Sequence, residues 1–204
     1  MRTSWKTWTG FALLGCLLGS PSGAWGATVT GYVRDQGGSP LPGVLVRILE
    51  DRSRGTRTDA QGSFTLSTDP GDSVTLLVAP DALPAVRVPG VTPRRGELSR
   101  VDVVYLTARA GAPCSLDLSS NPSTGYGWAL VTSEDLPGAA TAENTFMPPE
   151  SPGNRPLAGR GGLERWTFCL SAPGFFVLRL AYLRPWEQGV PPARILAVAV
   201  TVTP

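Results

Sequence analysis

Beyond residue 27 the apolar positions recur every second residue, in short runs broken by Gly, Pro, Asn and Asp. Val29, Gly31 and Val33 open the pattern. Val44, Val46 and Ile48 alternate with Leu45, Arg47 and Leu49. Ser63 to Leu66 follows the tight turn Thr58-Asp59-Ala60-Gln61-Gly62, and further apolar runs cover 74–78 and 101–106. In the second half Cys114, Leu116 and Leu118 alternate with Ser115, Asp117 and Ser119, and Tyr126 and Trp128 stand two apart. Trp166, Phe168 and Leu170, then 176–182 and 195–202, complete the set. Period two over short runs bounded by turn residues predicts strands. No amphipathic helical period follows residue 27, so the chain is predicted to be all-β, with two β-sandwiches.

Thr107 to Pro113 holds small residues and a proline, which predicts a short junction between domains at 27–108 and 112–204. Residues 136–157 are rich in Pro, Gly, Ala and Glu and lack alternation. They are predicted to form a long, mobile connection.

Composition fits this reading: 204 residues suffice for one large domain or two small ones, and 24 Gly with 20 Pro supply many turns. The first residues predict a targeting segment, 1–26. Arg2 and Lys6 precede an apolar run, 8–18, too short to span a bilayer, and Ala24-Trp25-Gly26 resembles a cleavage site. Leu13-Leu14-Gly15-Cys16 supports a competing reading, in which Cys16 carries a lipid anchor. Both readings place the mature chain outside the cytoplasm, periplasmic or secreted. Without Arg2 and Lys6 the remaining basic residues balance the 16 acidic ones, and no basic run tracks phosphates, which argues against nucleic acid.

The chain has no histidine. That excludes Ser-His-Asp and Cys-His catalysis and removes the commonest zinc ligand, so no enzyme, metal or cofactor is expected. Asp35 and Asp59 lie in turns, where aspartate shapes the backbone far more often than it binds calcium. After leader removal only Cys114 and Cys169 remain. They are either a disulfide, as is common in exported proteins, or two buried thiols.

Asn121-Pro122-Ser123-Thr124-Gly125-Tyr126-Gly127-Trp128 reads either as an ordinary hairpin loop or as a binding loop. Pro122 fixes its own φ and makes Asn121 extended, while Gly125 can take positive φ. Two later segments favour the binding loop. Gly159-Arg160-Gly161-Gly162 is a hinge that runs into a strand, and Arg184-Pro185-Trp186-Glu187 lies between two strands. In this order the three segments resemble the chagasin-like inhibitors of papain-type cysteine proteases. That family carries an Asn-Pro-x-Thr-Gly-Tyr/Phe loop, a Gly-x-Gly-Gly loop and an Arg-Pro-Trp loop on one immunoglobulin-like domain. Ser123 departs from the family, which more often has Thr there, but keeps the hydroxyl.

The resemblance implies a reversible inhibitor whose partner is a papain-like protease. Asn121 to Tyr126 would enter the cleft, with Ser123 and Thr124 offering hydroxyls and Gly125 allowing close approach. Tyr126 would pack in the loop base or on the enzyme wall. Gly159, Gly161 and Gly162 would line one side of the cleft, and Arg184, Pro185 and Trp186 the other. Arg184 has a competing role as a surface partner of Glu187. Trp128, Trp166 and Phe168 fall on strand period and are expected in the core. Upstream, Gly31-x-Val33-x-Asp35, the run Pro40 to Val44 and Thr58-Asp59-Ala60-x-Gly62-x-Phe64 resemble the carboxypeptidase regulatory-like domain, a transthyretin-like sandwich with an accessory role. The alternative reading is a non-inhibitory surface adhesion protein built from two binding modules.

Overall fold

The computed structural model describes residues 26–131, 141–149 and 159–204. The predicted leader, except Gly26, and the lipid-anchor position Cys16 lie outside the described residues. In chain order the strands are β1 (Ala27–Arg34), β2 (Leu45–Ile48), β3 (Gly55–Arg57), β4 (Ser63–Thr68), β5 (Val74–Ala79), β6 (Val86–Val91) and β7 (Leu98–Arg109). Then come β8 (Pro113–Ser120), β9 (Gly127–Val131), β10 (Thr141–Met147), β11 (Gly162–Cys169), β12 (Gly174–Leu183) and β13 (Arg194–Thr203). The only helical element among the described residues is a 3-10 turn, Pro122–Thr124. The all-β class holds, and no helix there is long and apolar enough to cross a membrane.

The strands form three sheets, ordered β4-β1-β7-β13-β12-β9, β3-β2-β5-β6 and β10-β11-β8. The six-stranded sheet is the middle layer. Val101, Val103 and Tyr105 of β7, with Ile195, Ala197 and Ala199 of β13, pack on one side against the four-stranded sheet. Leu106, Leu196, Val198, Val200 and Val202 face the other way, toward the three-stranded sheet. Strand alternation sends successive side chains to opposite faces, so one strand can serve two cores. This explains why β13 is buried without interruption from Ile195 to Val200.

The two sandwiches therefore share a sheet. β7 pairs in parallel with β1 and, from Arg100 to Arg109, in parallel with β13. After β7 the chain turns at Ala110-Gly111-Ala112, closed by the Ala112 amide on the Arg109 carbonyl at 3.0 Å. In the first sandwich Asp35 and Asp59 are turn formers. Each Oδ1 accepts two backbone amides, Gly37 and Ser39 for Asp35, Gln61 and Ser63 for Asp59, at 2.8–2.9 Å.

The structure corrects two sequence expectations. Within the stretch expected to be a mobile connection, Thr141–Met147 is a strand, paired along its length with β11. Every residue of β10 except Met147 is exposed, so no apolar face exists to generate alternation. Residues 132–140 and 150–158 lie outside the described residues. The disulfide reading also gives way, because Cys114 and Cys169 are free. Cys114 stands opposite Phe168 and Cys169 opposite Pro113. This one-residue offset sends the two side chains to opposite faces. Cys114 packs against the second core, where burial and the nearby Cys169 push its thiol pKa up, while Cys169 donates to the Gly111 carbonyl at 3.3 Å.

Candidate functional site: three loops at one end of the second sandwich

Asn121 to Tyr126 joins β8 to β9, which lie in different sheets. It is a crossover between layers, not a hairpin. Asn121 Oδ1 accepts the Ser123 hydroxyl at 2.6 Å, and the Thr124 hydroxyl and amide both donate to the Asn121 carbonyl, at 2.7 and 3.0 Å. Gly125 closes the turn at φ 82°, with its amide on the Pro122 carbonyl. A side chain at that φ would cost roughly 1–2 kcal/mol. The short polar side chains thus hold the loop shape from within, leaving Pro122, Ser123 and Thr124 exposed at its tip.

Two neighbours fix the base of this loop. Tyr182 of β12 accepts the Asn121 amide at its hydroxyl (3.0 Å) and stacks on Tyr126, ring centroids 5.3 Å apart. Tyr126 therefore sits in the loop base, the first of its two expected roles. Trp128 is buried, donates from its indole N–H to the Ser119 carbonyl at 3.1 Å and packs on Tyr182. Trp166 and Phe168 are buried in the same core.

The second segment approaches from β11. Gly159 has φ 83° and its carbonyl accepts the Asn121 side-chain amide at 3.4 Å. A Cβ on Gly161 would lie 3.1 Å from the Ser120 carbonyl oxygen and 3.4 Å from Asn121 Cβ. Gly162 differs from its neighbours: it pairs with Ser120 in the ladder, and a Cβ there would collide with the Met147 carbonyl and the Phe146 ring. Its glycine is required by packing, so the hinge is confined to 159–161.

The third segment closes on the other side. Arg184 donates from Nε to the Thr124 carbonyl at 3.2 Å, lies over the Tyr126 ring at 4.5 Å and pairs with Glu187 at 2.9 Å. The guanidinium is occupied inside the protein, which favours the competing Glu187 role and adds a hold on the first loop. Trp186 is 66% exposed, and its indole edge lies against Gly125, 2.5 Å from where a Cβ would be. Pro185 is exposed beside it.

Four supporting residues were not singled out by sequence. Tyr182 is one. Glu164 is buried, and its carboxylate accepts the Asn144 side-chain amide (2.7 Å), the Trp166 indole N–H (3.1 Å) and the Trp128 amide (3.4 Å). Asp102, also buried, accepts the Tyr32 amide at 3.0 Å, Arg100 at 3.0 Å and Arg194 at 2.9 Å, while Arg194 lies over the Trp128 ring at 5.3 Å. Buried charges persist when paired and hydrogen-bonded. For Glu164 and Asp102 the sequence offers only an acidic residue within a strand pattern.

The three segments thus converge at one end of the second sandwich. A family model described as chagasin family peptidase inhibitor I42 matches residues 107–202, and one for the carboxypeptidase regulatory-like domain matches 28–106. The boundary between them falls inside β7, the strand both sandwiches use. Chagasin of Trypanosoma cruzi is 34% identical over 84 residues, which cover 40% of this chain and 73% of chagasin. Solved structures similar to it include the cysteine protease inhibitor EhICP2 of Entamoeba histolytica (24% identity, 50% of this chain and 97% of that one, TM-score 0.38). PbICP-C, solved in complex with falcipain-2, is another (21% identity, 52% and 91%, TM-score 0.36). The chain belongs to the chagasin family of peptidase inhibitors, and residues 28–106 match the carboxypeptidase regulatory-like domain. Chagasin-family proteins are protease inhibitors, not enzymes.

Proposed function

We propose that the protein is an exported, reversible inhibitor of papain-like cysteine proteases that blocks the active-site cleft with its three loops. The observation that carries this reading is the convergence of three segments far apart in sequence. Asn121 reaches Gly159, Arg184 holds the Thr124 carbonyl, and Trp186 covers Gly125. A cysteine protease cleft receives an extended chain and attacks a carbonyl held against an oxyanion site. The loop tip fills that space as a 3-10 turn, whose carbonyls from Asn121 and Pro122 are engaged by the loop's own amides. No extended peptide bond is offered in attack geometry.

Affinity comes from shape held in advance. The loop is fixed by Pro122, by its internal hydrogen bonds and by Tyr182 and Arg184, so little entropy is lost on binding. Ser123 and Thr124 meet the catalytic centre, Gly159 and Gly161 line one wall, and Pro185 and Trp186 lie on the other. Gly162 supports from the strand. Export is supported by the charged, apolar and small-residue regions of 1–26.

Competition kinetics with papain and a small peptide substrate test the reading. The apparent inhibition constant is expected to rise linearly with substrate concentration, and the protein to survive long incubation uncleaved. An inhibition constant independent of substrate concentration, or cleavage within 121–126, would overturn it.

A further inference from the structure

Beside the three loops lies a cleft of about 440 Å³ whose walls come from both sandwiches. One wall is the end of β6 and the turn into β7, including Arg94 and Leu98. The other is the chain leading into β13, Val190 to Ala193, and Tyr126 reaches the cleft from the first loop. We propose that this cleft is a fourth contact with the protease, through which the carboxypeptidase regulatory-like module takes part in inhibition. Its occupant is a ridge of the enzyme bordering the groove that the loops fill, apolar where it meets Leu98 and Val190 and polar where it meets Arg94 and Glu97. The proposal rests on the reading of the loops given above.

Three observations support it. The cleft is continuous with the loop surface, because Tyr126 lines it while forming the loop base beneath Arg184. The exposed apolar side chains are also not scattered. Among the described residues the large ones are Leu83, Leu98, Phe146, Leu163, Trp186 and Val190. Phe146 lies against Gly162, Trp186 lies against Gly125, and Leu98 and Val190 line the cleft with Tyr126. Leu83 sits apart, beside Pro84, whose carbonyl bonds Tyr105, and Leu163, opposite Met147, points to the sheet face away from Phe146. Exposed apolar side chains gathered around one site mark an interaction surface.

Reach is the third point. A standard interface of ~800 Å² per partner is a disc of about 16 Å radius. Four residues of chain span at most about 14 Å, so Val190 lies within that radius of Trp186. Leu98, 69% exposed, and Val190, 46% exposed, line the cleft beside Tyr126 of the first loop. Both walls are carried by paired strands, Arg100 opposite Arg194 and Val101 opposite Ile195. The cleft is thus held open before any partner arrives.

The test uses the full chain with papain as the probe. Leu98→Asp and Val190→Asp, with Leu98→Ser as the milder change, are each expected to weaken inhibition about tenfold through faster dissociation, at unchanged Tm. Gly125→Glu is the reference that removes loop binding. If it abolishes inhibition while the Leu98 and Val190 variants match wild type, the fourth contact is wrong and the three-loop reading stands. A wild-type protein that leaves papain active defeats both. A wild-type dimer in sedimentation that Leu98→Asp dissociates would assign the cleft to a second copy and overturn the proposal.

Discussion

Arg184 donates to the Thr124 carbonyl oxygen at 3.2 Å, so the third loop holds the first in shape. The same guanidinium covers Tyr126 and pairs with Glu187. A planar fork can satisfy the carbonyl, the ring and the carboxylate together, and a lysine ammonium cannot.

Arg184→Met keeps the aliphatic stem and removes the fork. It is expected to weaken papain inhibition at least tenfold with little change in Tm, and Arg184→Lys should fail to restore it. Glu187→Gln, which loosens the pair, should fall between. Equal inhibition constants for wild type and Arg184→Met would show that the loop keeps its shape alone.

Trp186 combines high exposure with contact to a loop glycine. Anchoring tryptophans contribute about 2 kcal/mol or more to an interface, roughly thirtyfold in affinity. Trp186→Ala is expected to show that loss mainly as faster dissociation by surface plasmon resonance. An unchanged off-rate would leave Trp186 without a role at the interface.

The shared middle sheet predicts cooperative unfolding. Removing the first sandwich would strip β7 from β13 and expose Ile195, Ala197 and Ala199 along an unpaired edge. Calorimetry of the full chain should give one transition. Residues 112–204 alone should be aggregation-prone. Two separate transitions in the full chain would contradict this coupling.

Free thiols on opposite faces of β8 and β11 predict that reducing agent leaves Tm unchanged. Near pH 8, Cys169 should react with iodoacetamide faster than Cys114, whose thiolate is disfavoured by burial. A Tm that falls on reduction would show a bridge.

The strands with a buried face were legible because turn chemistry and period two are local properties, while the three loops were picked out as a set by their resemblance to the chagasin-like inhibitors. Gly125, Gly159 and the two turn aspartates each sit where the backbone demands them. What escaped was set by partners. The three residues of β3 have no fully buried position, and β6 is interrupted by Pro89-Gly90, so neither shows a clean period. β10 has only exposed residues up to Met147 and draws its order from β11. The unbroken apolar run in β13 marks burial on both faces, yet nothing in it says that β7 is the neighbour. Arg184 was recognised by its motif, but its service to Thr124 depends on a fold that brings residues 60 positions apart together.

Titration of papain with the purified full chain, beside its Gly125→Glu variant, tests the central claim most directly. The wild type should remove activity stoichiometrically at nanomolar to micromolar concentrations. The variant, whose added side chain meets Trp186 at a φ that disfavours it, should stay folded and leave papain active. Full papain activity at high micromolar wild type, or equal inhibition by the variant, would contradict the account.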